Sequence, residues 1–394
     1  MTQLSTRSVI LLAIASAVVT ANAYYIHPIV GRVAADFAVG DGLVGAVPAL
    51  NQIALAIGVL VLLPLGDRMN NRRLVFVCLA AQVVSLIVMA LVQDFWVFAG
   101  ASAALGFFTI TPYLLPAYAS KRLTSDRLGA VTAALTTGVI AGVVLSRTLS
   151  GVMAELMGWR SVYWIAAVLM AGAMLIVPLL MEADEDEGDG PVLSYVSLFN
   201  SLGPMITAHR PVIMSGVVQG LSFAIFLAMW MGIGLHLTSD AVGLGTDTVG
   251  YLAAFTALNV FTTPRLGRWA DKVGAERARV AMGILQFVGV ATIWLAGFAW
   301  WMVILPIALT SVAGPMLDVT GRMIGLREAP DIRTRLMTLY IVLMFIGGGM
   351  GSWAGTYAYD LAGWPGTSIL CMALSSIVLA LTLMEARRAS VPAS

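Results

Sequence analysis

Twelve apolar runs occupy most of this 394-residue chain, each of roughly 18 to 27 residues and so long enough to cross a hydrocarbon core about 30 Å thick. They fall at 9–29, 43–65, 74–93, 97–118, 129–153 and 161–181, then at 212–236, 247–264, 280–298, 302–326, 336–359 and 367–384. Lipid offers no hydrogen-bond partner to an open backbone, so runs this long and continuous are helices and not the alternating strands of a barrel. The expected fold is an all-α membrane protein of twelve transmembrane helices in two pseudo-symmetric six-helix bundles. Composition agrees: 59% of residues are hydrophobic and 11% charged. The balance of 22 Lys and Arg against 21 Asp and Glu lacks the basic excess that holds a phosphate backbone, which excludes nucleic acid as a partner. Cys78 and Cys371 sit inside apolar runs and fit neither a disulfide framework nor a metal site. A secretory signal is the other meaning of the first run, since Ala21-Asn22-Ala23 imitates a cleavage site. Cleavage there leaves eleven spans and breaks the symmetry described below.

Orientation is read from the short loops. With a cytoplasmic N-terminus, 18 of the 22 basic residues lie on the cytoplasmic side, Arg32 and Arg160 lie outside, and Arg147 and Arg322 fall within apolar runs. The positive-inside rule therefore places both termini in the cytoplasm. The acidic stretch Glu182 to Asp189 leaves this unchanged, because acids contribute little to the rule. It reads as a solvated linker, giving bundles at 1–181 and 211–394 joined through 182–210.

The halves repeat. Asp67, in Pro64-Leu65-Gly66-Asp67-Arg68-Met69-Asn70-Asn71-Arg72-Arg73, and Asp271, in Gly267-Arg268-Trp269-Ala270-Asp271-Lys272-Val273-Gly274-Ala275-Glu276-Arg277, are 204 residues apart. Gly158-Trp159 and Gly363-Trp364 are 205 apart, the signature of duplicated six-span halves. This loop resembles the hallmark Gly-x-x-x-Asp-[Arg/Lys]-x-Gly-x-[Arg/Lys]-[Arg/Lys] of the major facilitator superfamily. The second copy keeps Gly267, Asp271, Lys272 and Gly274, with Arg277 following; the first keeps Asp67, Arg68, Arg72 and Arg73 but has Leu63 and Asn70 where Gly is usual. Locally, Tyr24-Tyr25-Ile26-His27-Pro28 and Ser146-Arg147-Thr148-Leu149-Ser150-Gly151 look like a bacterial exporter branch of that superfamily. The resemblance implies alternating-access transport across a bacterial inner membrane, without cofactor, by a monomer. A carboxylate beside a helix N-terminus, paired with basic side chains one turn away, is suited to latch neighbouring helices in one state and release them in the other. A solvated loop with no gating role is the plainer meaning of the same spacing.

Charge within the spans marks the candidate site. Asp318 and Arg322 are four apart on one helical face. Asp318 is either a protonatable carboxylate that trades a proton against substrate or half of a structural pair, with Arg322 snorkelling to the surface. Arg147 has no acid at three or four positions on its own helix. It must meet a cavity, a helix-end carbonyl or an acid from elsewhere, and is suited to an anionic substrate. Antiporter members of the superfamily carry Gly-x-x-x-Gly-Pro-x-x-Gly-Gly in span 5. Here Gly142-x-x-x-Ser146-Arg147-x-x-Ser150-Gly151 puts Arg at the Pro position, a departure that weighs against antiport. The glycines at 347, 348, 349, 351 and 355 of span 11 permit close helix approach.

His27 is a second proton-carrier candidate, or an interfacial anchor with Tyr24 and Tyr25. Asn22 and Tyr24 sit where the superfamily places cavity-lining residues. Asn51, Gln52, Tyr113, Gln219 and Asn259 are polar groups in apolar runs, each an interhelical hydrogen bond or a substrate contact. Pro112 and Pro116 in span 4, and Pro306 and Pro315 in span 10, kink their helices toward a central cavity. The chain has no phosphate loop and no His-Glu-x-x-His or Gly-x-Ser-x-Gly motif, which argues against an ATP pump and against a membrane enzyme. Secondary transport of a small molecule is the expectation. It takes the form of proton-coupled export of small amphipathic or drug-like compounds, or else uptake or uniport of a small anionic metabolite.

Overall fold

The computed structural model describes residues 5–67, 69–120, 125–181, 203–327 and 330–389. Every regular element among them is an α- or 3-10 helix. Ten helices are long and apolar enough to cross a membrane. The last of these runs through Pro330–Ala389, which is two helices joined at Ala362 and Gly363, spans 11 and 12. Span 8 completes the twelve in pieces, as Thr246–Ala253, a 3-10 turn Ala254–Ala257 and Leu258–Val273. The acidic stretch 182–189 lies outside the described residues.

The chain divides into two compact units, Met1–Gly188 with Ile233–Ala254, and Asp189–Gly232 with Phe255–Ser394. In both, glycine lets helices meet backbone to backbone. A β-carbon added at Gly142 of span 5 would lie 2.3 Å from the Ala17 carbonyl oxygen of span 1, and one at Gly138 would lie 2.1 Å from that of Ala13. In the second unit, β-carbons at Gly347 and Gly351 of span 11 would lie 2.4 Å from Gly220 O and 2.3 Å from Ala224 Cα of span 7. The seam of spans 1 and 5 thus recurs as the seam of spans 7 and 11, as the small-residue pattern implied. The repeat also survives in backbone conformation. Gly158 and Gly363 both turn between spans at positive φ, 83° and 60°, a region that a side chain would strain, and the following Trp159 and Trp364 are both buried.

Proline breaks two helices of the first unit, and one side chain touches both breaks. Pro28 and Pro112 have no N–H, so each leaves the carbonyl four residues earlier without its helical partner and crowds it. Span 1 accordingly splits into Thr6–Ala21 and Ile26–Asp36, and span 4 into Phe95–Phe107 and Thr111–Ser120. The carbonyl that Pro112 vacates, Phe108 O, accepts from Gln82 Nε2 of span 3 at 3.0 Å. Gln82 Oε1 in turn accepts from Asn22 Nδ2, at the span 1 break, at 3.3 Å. Span 9 places a glutamine one offset later, and there Gln286 Nε2 donates to Ser222 Oγ of the unbroken span 7 at 2.8 Å.

Gly106 and Gly100 share one helix, and only Gly106 is closed in. A β-carbon there would lie 2.0 Å from Asn51 O, whereas at Gly100 nothing lies within 4 Å. Gly106→Ala is expected to destabilise the protein by about 1–3 kcal/mol through overpacking, and Gly100→Ala to leave thermal stability unchanged, as read by unfolding of the purified variants.

Candidate functional site

At the break in span 1, the chain leaves helix after Ala21 and re-enters it at Ile26, which turns Tyr24 and His27 inward; both are buried, His27 completely. Arg147 reaches them from span 5 with none of its surface exposed. Its Nε donates to His27 Nδ1 at 2.9 Å, and its guanidinium carbon lies 4.8 Å from the centre of the Tyr24 ring. Tyr24 and His27 meet edge to face at 5.5 Å. A ring nitrogen that accepts is deprotonated, so His27 is a neutral imidazole with its proton on Nε2. That Nε2 has no hydrogen-bond partner among the described residues. An imidazole from 120 residues away was not among the partners that the sequence offered Arg147. The interfacial alternative for His27 fails, because an anchor would be exposed at the surface.

A second arrangement, at the Glu155 end of span 5, had no sequence signal. Arg32 donates to the Glu155 carboxylate and, through Nη1, to Ala154 O at 2.6 Å. Glu155 Oε2 also accepts from the Thr246 amide at 3.0 Å, capping the helix Thr246–Ala253 at its positive end. Thr246 Oγ1 lies 2.9 Å from Gly151 O. Below the cap, a β-carbon at Gly250 would lie 2.9 Å from Thr148 O and 3.1 Å from Arg147 O. One at Gly234 would lie 2.4 Å from His27 O. Segment Ile233–Ala254 therefore packs on the backbone of the two residues that form the buried Arg–His pair.

In the second unit, Arg322 Nε donates to Asp318 at 3.0 Å. Tyr340 of span 11 donates its hydroxyl to Asp318 Oδ1 at 2.9 Å. The Arg322 guanidinium carbon stands 5.3 Å from the Tyr340 ring centre. Asp318 keeps 26% of its side-chain surface exposed. Tyr340, which no sequence motif singles out, is what joins spans 10 and 11 at this carboxylate.

Asn22 is buried on Gln82, and its Oδ1 has no partner among the described residues. The same holds for both amide atoms of Gln52 and for the amide oxygens of Gln219 and Asn259; Tyr113 is half-buried. Buried amide atoms left open are positions where a solute can supply the missing bond. In the first hallmark loop, Arg68 and the Asp67 side chain lie outside the described residues. Arg72 and Arg73 flank an apolar groove with Phe76, Val77, Leu175 and Leu179. In the second, Gly267 is helical and Gly274 turns at φ 92°, while Asp271, Lys272 and Arg277 are exposed. The ion pair near this loop is instead Glu276 with Arg327.

The model of the Major Facilitator Superfamily matches residues 12–299 and 212–394; the chain belongs to that family. It is 26% identical over 377 residues to the "Uncharacterized transporter YgaY" of Escherichia coli O157:H7, covering 96% of this chain and 94% of that one. It is 24% identical over 280 residues to the "Multidrug resistance protein MdtG" of Dickeya zeae, covering 70% and 67%. Among solved structures, a bacterial homologue of the human lysosomal transporter Spinster, inward-facing and occupied, superposes with a TM-score of 0.77 at 13% identity over the whole of both chains. The protein is thus a multi-pass membrane transporter of a small molecule and not an enzyme.

Removing the charge at Glu155 tests this cap. In Glu155→Gln, amide hydrogen exchange across 246–250 is expected to quicken about fivefold, the equivalent of the ~1 kcal/mol of a lost helix cap, while exchange in span 10 stays as in the parent.

Proposed function

We propose that this transporter exports small amphipathic or drug-like compounds from the bacterial cytoplasm in exchange for protons, as a monomer with both termini in the cytoplasm. The carrying observation is the Asp318 carboxylate, held inside span 10 by Arg322 and Tyr340. As an anion it accepts from both groups and ties span 10 to span 11. A proton arriving on it cancels the charge that holds Arg322, so protonation and the packing of these helices change together. That is the two-state element that exchange of a proton for a solute requires. Within the second unit alone, the open amides of Gln219 and Asn259, both in apolar runs, suit a solute with a few polar atoms and much apolar surface. The relative named as a multidrug resistance protein favours the same class. The 18-to-2 distribution of basic residues supports the orientation.

The seam that Thr246–Ala253 makes with span 5 supplies the moving part of this account. Contacts through Gly151 and Gly250 are backbone against backbone, so they separate without unpacking large side chains. The Glu155 cap gives the closed arrangement a defined end. The hallmark loops, with Asp67, Arg68, Arg72 and Arg73 in one copy and Gly267, Asp271, Lys272, Gly274 and Arg277 in the other, act on the cytoplasmic side in the same cycle.

A second function, uptake or uniport of an anionic metabolite, is favoured by Arg147 alone, a fully buried guanidinium beside a neutral histidine. The two are separated by variants in reconstituted vesicles. Under the exporter account, Asp318→Asn loses the dependence of compound efflux on an imposed pH gradient, and its efflux falls to the rate seen in the parent without a gradient. Parental pH dependence in Asp318→Asn, together with loss of anion flux in a folded Arg147→Ala, would replace the exporter account with the anion one.

A further inference from the structure

The second unit also carries a cleft of about 410 Å³ framed by the ends of spans 7, 9, 10 and 12, within the ~300–1,000 Å³ range of small-molecule sites. Four arginines line it, Arg210, Arg279, Arg327 and Arg388, against two acids, Glu276 and Glu385. The acids are each engaged with one arginine, Glu276 with Arg327 and Glu385 with Arg388. Two positive charges are left over. One is Arg279, which is only 4% exposed. Its Nη1 donates to Ser215 Oγ and its Nη2 to Ser215 O at 3.0 Å. Its Nε has no hydrogen-bond partner, and no carboxylate pairs with it, among the described residues. The other is Arg210, exposed at the rim and in no hydrogen bond or ion pair among the described residues.

A buried guanidinium whose direct contacts are a hydroxyl and a carbonyl has its hydrogen bonds partly met, and Glu385 and Glu276 act on its charge only from beyond ion-pair distance while engaged with Arg388 and Arg327, an arrangement that an arriving anion stabilises. We propose that this cleft binds a phosphate group, carried either by the headgroup of an anionic phospholipid or by a free phosphate in solution. The planar fork of arginine matches phosphate oxygens. Basic pockets between the ends of transmembrane helices are suited to lipid headgroups, whose acyl chains stay in the bilayer. Ser215, on the wall beside Arg279, adds a hydroxyl to the donor set. An occupant here touches four spans together, so it acts on the packing of the whole end of the unit and not on one side chain. Placing the cleft at the cytoplasmic leaflet rests on the orientation proposed above; the binding itself does not.

The test uses the full chain, purified in detergent with phosphatidylcholine. Short-chain phosphatidylglycerol is titrated, and separately inorganic phosphate, with chloride holding ionic strength constant. The thermal midpoint is read at each step. The parent should gain stability saturably with at least one of the two phosphate probes and not with further phosphatidylcholine or chloride. Arg210→Gln, at an exposed rim position that leaves the fold intact, should weaken the apparent affinity about fivefold. Arg279→Gln should weaken it further, and Arg7→Gln, a basic residue outside the cleft, not at all. Saturation by phosphatidylglycerol alone identifies a lipid occupant, and equal saturation by phosphate alone a solution anion. The proposal is overturned if neither probe saturates, if the parent and Arg210→Gln give the same curve, or if Arg7→Gln shifts as much as Arg210→Gln. These readouts involve no transport, so they stand or fall separately from the exporter account.

Discussion

In hydrocarbon, a backbone carbonyl that loses its helical partner must be answered by another protein group, and in this chain Gln82 supplies the answer. It donates to the carbonyl that Pro112 vacates and accepts from Asn22 at the break before Pro28. The first contact answers the bend in span 4; in span 1 the carbonyl that Pro28 vacates, Tyr24 O, accepts from the His27 amide at 3.3 Å, and Gln82 holds the break through the Asn22 side chain. The bend in span 1 carries the consequence for function. It faces Tyr24 and His27 to span 5, where Arg147 meets them. A straight helix would have run its turns past this point with a carbonyl wall. The broken one presents a ring nitrogen and a phenol to a buried cation.

Small residues set how near the helices come, and so which polar groups can meet. Span 5 lies against span 1 through Gly138 and Gly142, and against Thr246–Ala253 through Gly151. Arg147 falls between these two closures, which accounts for a guanidinium of that size being wholly enclosed. In the second unit the equivalent seam runs through Gly347, Gly351 and Gly355, and there the charge, Asp318 with Arg322, is left half-exposed. Two similar scaffolds thus hold unlike chemistry: a permanent cation with a neutral acceptor in one, and a carboxylate whose charge a single proton removes in the other. Protonation of Asp318 would undo its own contacts with Arg322 and Tyr340 inside the spans, which is why proton exchange is assigned to it.

Much of this was legible from the chain, because it depends on local pattern. Apolar length gives the spans, the offset of the two glycine–tryptophan pairs gives the repeat, and the glycine stripe of span 11 gives a face for close approach without naming span 7 as its partner. What the sequence hid depends on contacts made across long stretches of chain. Nothing near Arg147 announces His27, and nothing near Glu155 announces Thr246, 91 residues on. The break of span 8 at Ala254–Ala257 has no proline inside it, so composition reads it as one continuous run. Arg210, Arg279, Arg327 and Arg388 entered the sequence argument only as positive charges on one side of a membrane. That they line a single cleft follows from the packing of four helices and from no motif.

The central claim, that an outward-moving solute is exchanged for protons, is tested most directly by watching the protons. The parent protein is reconstituted into vesicles loaded with a pH-sensitive dye, and an amphipathic cation of the multidrug class is added to one side only. Proton movement opposite to the compound, saturating as the compound is raised and absent from protein-free vesicles, is the predicted result. Measurable flux of the compound with no proton movement at any concentration would contradict the account.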